Sequence, residues 1–234
     1  MLMPSHHIWT PLLDSPLYRV IPADRFDDLI TTSELFFQNL SKMPSDINDG
    51  LINEATVDAI HQDLLSQGAA EVVLKFATYT PDIFRKYFCA SCWRYGTFYE
   101  KIWDKYLPNN IDGVAIVTTV QKLLSNFGNS TKGRFYHGLV QYTDGAHMAG
   151  LGQVCIKAKE FSWENEFRVL WQDTSAFTND GNYLIIEAKP LRYRIDLQST
   201  IDEIIVSPFA SDGYKQKVED MLDKLKLSAV VSAA

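Results

Sequence analysis

Along the chain, apolar residues follow two repeats, one of period two and one of helical spacing. Leu17 to Ile21 is a short run rich in strand formers, and Glu34 to Leu40 is a second. Between them Pro22, Ala23 and Asp24 open a helix whose apolar residues Phe26, Leu29 and Ile30 recur at helical spacing. Asn53 predicts an N-cap, Val57, Ile60, Leu64 and Leu65 make one helical face, and Gly68 stops it. Two more helical runs are expected, Ala69 to Tyr79 and one beginning at Pro81. Phe88 to Trp93 reads as a buried strand, Thr97 to Leu107 as an aromatic helix, and Gly113 to Val117 as a short apolar strand. Val120 to Phe127 predicts a short helix. After it strand patterns dominate: Phe135–Tyr142, Gln153–Lys157, Glu166–Gln172, Tyr183–Ala188 and Glu203–Val206. A helix from about Ser211 to Leu227 closes the pattern.

Helices gathered in the first half and strands in the second predict an α+β fold, with the helices around a mostly antiparallel sheet. A chain of 234 residues without internal repeat or low-complexity linker reads as one domain, 1–234. Residues 1–15, with Pro4, Pro11 and the approach to Pro16, are expected to be irregular, and 228–234 a flexible tail.

Composition narrows the partners. A formal charge of −7 argues against a general nucleic-acid binder, which needs clustered Lys and Arg. The Lys-rich stretch from Lys215 to Lys226 is interleaved with Glu219, Asp220 and Asp223 and reads as a solvated helix face. No run approaches the ~20 apolar residues that span a bilayer, so no membrane partner is expected. Met1 to Trp9 has neither a basic nor an apolar leader region, and an odd count of three cysteines suits a reducing compartment. Cytoplasm is the expected location. Oligomeric state is not legible.

Several chemistries fit poorly. Cys89 and Cys92 are spaced as a CxxC, with Cys155 distant, and only His137 and His147 could complete a zinc site. Buried thiols are the plainer expectation, and no metal is expected. No nucleophile elbow occurs, and none of the five histidines, 6, 7, 61, 137 and 147, sits in a general-base motif. Asp46, Asp49 and Glu54 could serve a nuclease, but acidic loops of this kind are usually solvated turns.

Three features are harder to set aside. Glu164, Glu166 and Arg168 alternate at the start of a strand, with Phe167 and Val169 facing the core. They form either a solvent-exposed charge ladder or a carboxylate oriented by Arg for a sugar hydroxyl or a developing positive charge. Arg19 is alone in an apolar strand, at an edge or facing a counter-anion. Glu100, Trp103 and Tyr106 can share a helix face, as core or as a ligand platform.

In their order, these features resemble a bacterial family, domain of unknown function 2971, which includes abortive-infection proteins of the AbiG type. The matching stretches are Leu17–Arg19, Glu34–Phe37, Asn48-Asp49, Ser91–Trp93, Trp103 with Tyr106, Gly113–Ile116, Lys159 with Trp163 and Glu166–Arg168, and Ile201–Val206. They span about residues 17–227. Two positions depart: Gly50 stands where the family has Pro after Asn-Asp, and Arg94 where a Ser is usual. The family is distantly similar to ADP-ribosyltransferases, which implies a split sheet and NAD as cofactor or substrate. By that resemblance Arg19 holds the NAD diphosphate or ribose, Trp103 or Tyr106 stacks on nicotinamide, and Arg168 joins the cofactor site. Glu166 bonds the ribose and stabilises the transition state. The implied activity is ADP-ribosyl transfer to a macromolecular acceptor, or NAD hydrolysis, in phage defence or as a toxin. The rival expectation is a non-catalytic sensor or interaction module in which Arg19 and Glu166 form a buried structural ion pair.

Overall fold

The computed structural model describes residues 9–43, 54–68, 85–109, 111–128, 132–143, 150–174 and 188–234. Over these residues the helices are α1 (Ala23–Thr32), α2 (Glu54–Ser66), α3 (Ile102–Tyr106), α4 (Val120–Leu124), α5 (Leu197–Thr200) and α6 (Tyr214–Leu225). The strands are β1 (Pro16–Pro22), β2 (Glu34–Asn39), β3 (Phe88–Tyr95), β4 (Gly113–Thr119), β5 (Gly133–Leu139) and β6 (Gln141–Tyr142). They continue with β7 (Ile156–Lys157), β8 (Glu166–Asp173), β9 (Leu191–Arg194), β10 (Glu203–Val206) and β11 (Val230–Ala233). Nine strands form one mixed, mostly antiparallel sheet, and β6 and β7 form a small parallel pair. The architecture is α+β.

Along the large sheet the order is β11, β10, β4, β1, β3, β2, β9, with β8 and then β5 joined to β3. One edge of β3 is taken by β8 along Phe88–Arg94. Its other edge is shared. β2 pairs with it at Cys89 and Ala90, and β1 pairs at Arg94 and Tyr95. The two strands peel apart over Ser91–Trp93, and the sheet splits there. An interior backbone stretch without a ladder neighbour draws on side chains or water for its hydrogen bonds, and side chains line this gap.

Packing follows the periodicities. On α1, Phe26, Leu29 and Ile30 are buried, and the helix ends where Ser33 turns left-handed (φ 57°) with its N–H on the Leu29 carbonyl. On α6, Tyr214, Val218 and Leu222 form the buried stripe. These helices cover a core containing Leu17, Phe37, Phe167, Val169 and Ile204. The opposite face of β3 and β8 packs Phe88, Ala90 and Leu170 on Tyr136 and Val154. With both faces covered, β8 reads as a continuous buried run, as interior strands do.

Several sequence expectations change. The helix expected over Thr97–Leu107 is only α3, because Phe98 lies in the preceding turn, packed on Tyr18 and Trp103. The strand expected at Gln153–Lys157 is mostly a 3-10 turn, Gly150–Cys155, with β7 after it. β9, not foreseen, pairs with β2. The expected flexible tail carries β11, parallel to β10 across the α6 crossover, with Ser232 Oγ donating to Glu203 Oε1 at 2.6 Å. The expected N-cap at Asn53, the runs Ala69–Tyr79 and from Pro81, the Asp46–Asp49 loop and most of Tyr183–Ala188 lie outside the described residues.

Gly133 is where β5 crowds β8 most closely. A Cβ there would sit 2.3 Å from the Gln172 carbonyl oxygen and 2.4 Å from the Trp171 ring. Gly133→Ala is therefore expected to destabilise the fold by about 1–3 kcal/mol, the usual cost of overpacking. Gly128→Ala, which meets open space, should stay within about 0.5 kcal/mol. Urea unfolding of the two variants checks the contrast.

Candidate functional site

The site starts from a backbone reversal. Residues Lys159–Glu164 form a 3-10 turn that ends at Asn165, left-handed at φ 42°. Asn165 is fixed to β3: its Nδ2 donates to the Tyr95 carbonyl at 2.6 Å, and its own carbonyl accepts from Tyr95 N–H at 2.8 Å. Glu164 thus ends the turn while Glu166 begins β8, and both carboxylates reach one ammonium. Lys157 Nζ lies 2.5 Å from Glu164 Oε2 and 3.0 Å from Glu166 Oε2. Two residues along β8, Arg168 forks onto Glu166, Nε to Oε1 at 2.8 Å and Nη2 to Oε2 at 3.2 Å, and donates from Nη1 to the Val154 carbonyl at 2.7 Å. All four side chains are at most 6% exposed. The exposed charge ladder left open by the sequence is instead a buried cluster of two cations and two anions.

Environment separates the two carboxylates. Burial pushes both upward, but at Glu166 the Arg168 and Lys157 charges outweigh it and hold the carboxyl down at about 2. At Glu164 burial outweighs Lys157, and the neighbouring Glu166 charge adds to it, so that carboxyl lies above its ordinary value. Glu164 Oε1 is also buried and, among the described residues, has no hydrogen-bond partner, and Glu164 is one of the residues that line a cavity. The Cys92 thiol, on the neighbouring strand, is raised well above its usual range by burial and then by Glu166. Arg94 secures the turn itself, donating to the carbonyls of Thr97 at 2.8 Å, Trp163, and Glu164 at 3.2 Å.

Across the split stands Arg19. Its Nη1 donates to Ser91 Oγ at 2.7 Å and its Nη2 to the Phe36 carbonyl on β2 at 3.3 Å, so the side chain bridges the gap between β1 and β2. Trp93 supports it from below, its ring 5.6 Å from the guanidinium and its Nε1 donating to the same Ser91 hydroxyl at 3.0 Å. Among the described residues no carboxylate pairs with Arg19. The Arg19–Glu166 ion pair of the non-catalytic expectation is not formed, because Lys157 and Arg168 hold Glu166.

Arg19 and Glu166 nevertheless line one cavity of about 180 Å³, together with Cys92, Trp93, Tyr106 and Glu164. A second cavity of about 250 Å³ adjoins it and shares Arg19, Ile21 and Gln38. Each alone is small for an organic ligand, and the pair together reaches the ordinary range of about 300–1,000 Å³. The ring of Tyr106 is partly exposed, while its hydroxyl is pushed above its ordinary value by burial and then by Glu164 and Glu166. Trp103 lies elsewhere. It does not line this cavity and is buried with Val20, Ile102, Leu107 and Ala115 as a core residue. Arg168 is wholly buried behind Glu166 and acts by positioning it.

Lys157 and Gln38 were not singled out from the sequence, and Ser91 and Arg94 entered it only through the resemblance, one in a matching stretch and the other as a departure. Lys157 did carry a signal, a cation ending the apolar run Val154–Ile156. The cysteines separate as alternation implied: Cys89 lies in the main core, 3.3 Å from the Lys189 carbonyl, and Cys92 faces the cavity. His137 is half-buried on β5, and burial lowers its pKa. His6, His7 and His147 lie outside the described residues.

Removing one member of a buried ion cluster leaves its partner uncompensated, at a cost of about 3–5 kcal/mol. Glu166→Gln should therefore lower stability at neutral pH as well as any activity. The pH dependence has a definite sign. Glu166 is depressed in the folded state, so its contribution is fully present above the unfolded carboxylate value near 4.3 and is lost as pH falls towards about 2. Glu164 works in the opposite sense, its ionisation costing stability as pH rises past the ordinary carboxylate range. Urea unfolding from pH 7 to 3 should show a smaller acid-side loss in Glu166→Gln than in the wild type.

Comparison with protein-family models, curated proteins and solved structures gives no match to this chain, which leaves the geometry of the split to carry its chemistry.

Proposed function

We propose that the split binds NAD and that the protein is an ADP-ribosyltransferase or NAD glycohydrolase. One observation carries this: a guanidinium that has no carboxylate partner among the described residues stands on the shared wall of two adjoining cavities, and an ionised, buried carboxylate lines one of them. A dinucleotide has the same layout, two nucleosides joined through a diphosphate. In this reading Arg19 faces the diphosphate, where charge-assisted hydrogen bonds are strong. The fixed negative charge of Glu166 stabilises the ribose as the bond to nicotinamide breaks and positive charge develops on the sugar. Glu164, which lines the first cavity and whose Oε1 has no hydrogen-bond partner among the described residues, is suited to a ribose hydroxyl or an acceptor. Tyr106, which lines this cavity, takes the stacking role in preference to Trp103. The electron pair of the broken bond leaves with neutral nicotinamide, and water or a macromolecular nucleophile takes the sugar carbon. The resemblance to abortive-infection proteins supports a setting in phage defence or toxin action.

Two measurements test the reading. Ligand binding to the native state alone raises stability by about 2.7 kcal/mol at a hundredfold excess over Kd, so millimolar NAD should raise Tm by several degrees. Wild type should release nicotinamide. Glu164→Gln can keep the Lys157 contact through its amide oxygen while Glu166 still pairs with Lys157, so it should lose less stability than Glu166→Gln while turnover drops about 10- to 100-fold, the scale of a lost hydrogen bond to a charged group. Neither a shift nor nicotinamide release in the wild type would overturn the assignment and favour the interaction module.

A further inference from the structure

The second cavity, under α1, carries a charge arrangement that the bond-breaking chemistry does not use. Four charged side chains line it: Arg19, Arg25, Asp28 and Glu34. The two acids are already committed. Arg192 on β9 reaches Asp28 Oδ2 at 2.8 Å and Oδ1 at 3.1 Å, and lies 3.7 Å from Glu34 Oε2. The two cavity guanidiniums have no such counter-charge, since among the described residues neither Arg19 nor Arg25 has a carboxylate within ion-pair distance.

Both converge on one residue. Arg19 donates to the carbonyl of Phe36, and the Arg25 guanidinium stands 5.3 Å from the centre of its ring. A guanidinium has five N–H donors, and Ser91 and Phe36 take two of those on Arg19. Two like charges brought together with donors to spare are unfavourable until an anion joins them. Arg25 acts on Arg19 in that sense, its charge adding to burial in lowering the Arg19 pKa. This concentration of unpaired positive charge occurs on a chain whose formal charge is −7, so it is local to the cavity.

We propose that the second cavity is a diphosphate site, in which Arg19 from β1 and Arg25 from α1 together clamp the phosphates of a nucleoside diphosphate. Guanidinium groups suit this role because their planar forks match phosphate oxygens two at a time. A cavity of about 250 Å³ has room for a diphosphate. The shared position of Arg19 places the phosphates at the junction with the cavity of Glu164 and Glu166. This deepens the nucleotide reading, yet it stands on phosphate chemistry alone and holds for a nucleotide other than NAD.

The test is calorimetric titration of ADP and of adenosine into the full chain, in wild type, Arg25→Gln and Arg134→Gln, at low and high salt. Arg25 is exposed on α1, so its variant should keep the wild-type Tm. Arg134, exposed on β5, makes the same change in net charge outside the cavity. Expected results are ADP binding that weakens with salt, adenosine binding at least tenfold weaker, and a Kd for ADP raised about 10- to 100-fold in Arg25→Gln, as the loss of a charged hydrogen bond implies. Arg134→Gln should leave it unchanged. The diphosphate site is overturned if wild type fails to bind ADP, if adenosine binds as tightly, or if Arg25→Gln binds ADP like wild type. The two proposals fail separately. ADP binding without nicotinamide release from NAD removes the NAD reading and leaves the clamp. Nicotinamide release with an unchanged KM for NAD in Arg25→Gln removes the clamp and leaves the reaction.

Discussion

The geometry of this protein turns on one sheet edge being asked to serve two strands. β3 gives its first edge to β8 over most of its length, and divides the second between β2 near its start and β1 at its end. The strands that share an edge cannot both continue along it, so they diverge over Ser91–Trp93. α1, which joins β1 to β2, spans the divergence and roofs it. Every polar group of the candidate site follows from that gap. Arg19 crosses it, Ser91 and the Phe36 carbonyl anchor its two ends, and Gln38 joins the two cavities that open on either side. A continuous sheet would have paired this backbone and left no room for a ligand.

The charge cluster beside the gap is held by a balance that burial alone opposes. Two carboxylates and two cations out of water are costly unless each oxygen and proton finds a partner. Glu166 meets that condition, with Arg168, Lys157 and Cys92 around it, and so it is fixed both in place and in charge. Glu164 meets it only halfway, since Oε2 is on Lys157 and Oε1 is not. The same surroundings therefore produce one carboxylate whose ionised form is favoured and one whose ionised form is disfavoured. Pairs pushed apart in this way are how a single site supplies groups of different character.

How much of this could be read from the sequence depends on the range of the interaction responsible. β1, α1, β10 and the helix α6 were legible because their patterns are local: Phe26, Leu29 and Ile30, for example, both form and bury α1. Arg19 and Glu166 were legible as charges in apolar strands, and they do meet one cavity. Their partners were not. The spacing of Glu164, Glu166 and Arg168 suggested three positions on one strand face, whereas left-handed Asn165 places Glu164 in a turn before the strand. Nothing local to Lys157 indicates a residue seven positions away as its partner. Trp103 and Tyr106 appeared equivalent by spacing, yet α3 has only five residues and turns Trp103 into the core and Tyr106 to the cavity. β9 did carry a signal, Leu191 and Tyr193 alternating with Arg192 and Arg194, but over only four residues. β11 depends on a parallel neighbour more than twenty residues earlier, which no local pattern records.

The charges around the split are of both signs in each cavity. Arg94, Glu164 and Glu166 line the first, Arg25, Asp28 and Glu34 line the second, and Arg19 is shared by both. Trp93 and Tyr106 add aromatic surface to the first and Phe36 to the second. In the proposed nucleotide reading these charges divide the work. The guanidiniums meet the diphosphate, since Arg192 already holds Asp28 and Glu34, and Glu166 meets the sugar, where positive charge would develop. Burial strengthens both contacts, because charges screened by water over about 10 Å at the surface act with much less screening inside the fold. The placing of the two kinds of group in adjoining cavities, more than any single residue in them, is what the proposed dinucleotide would match.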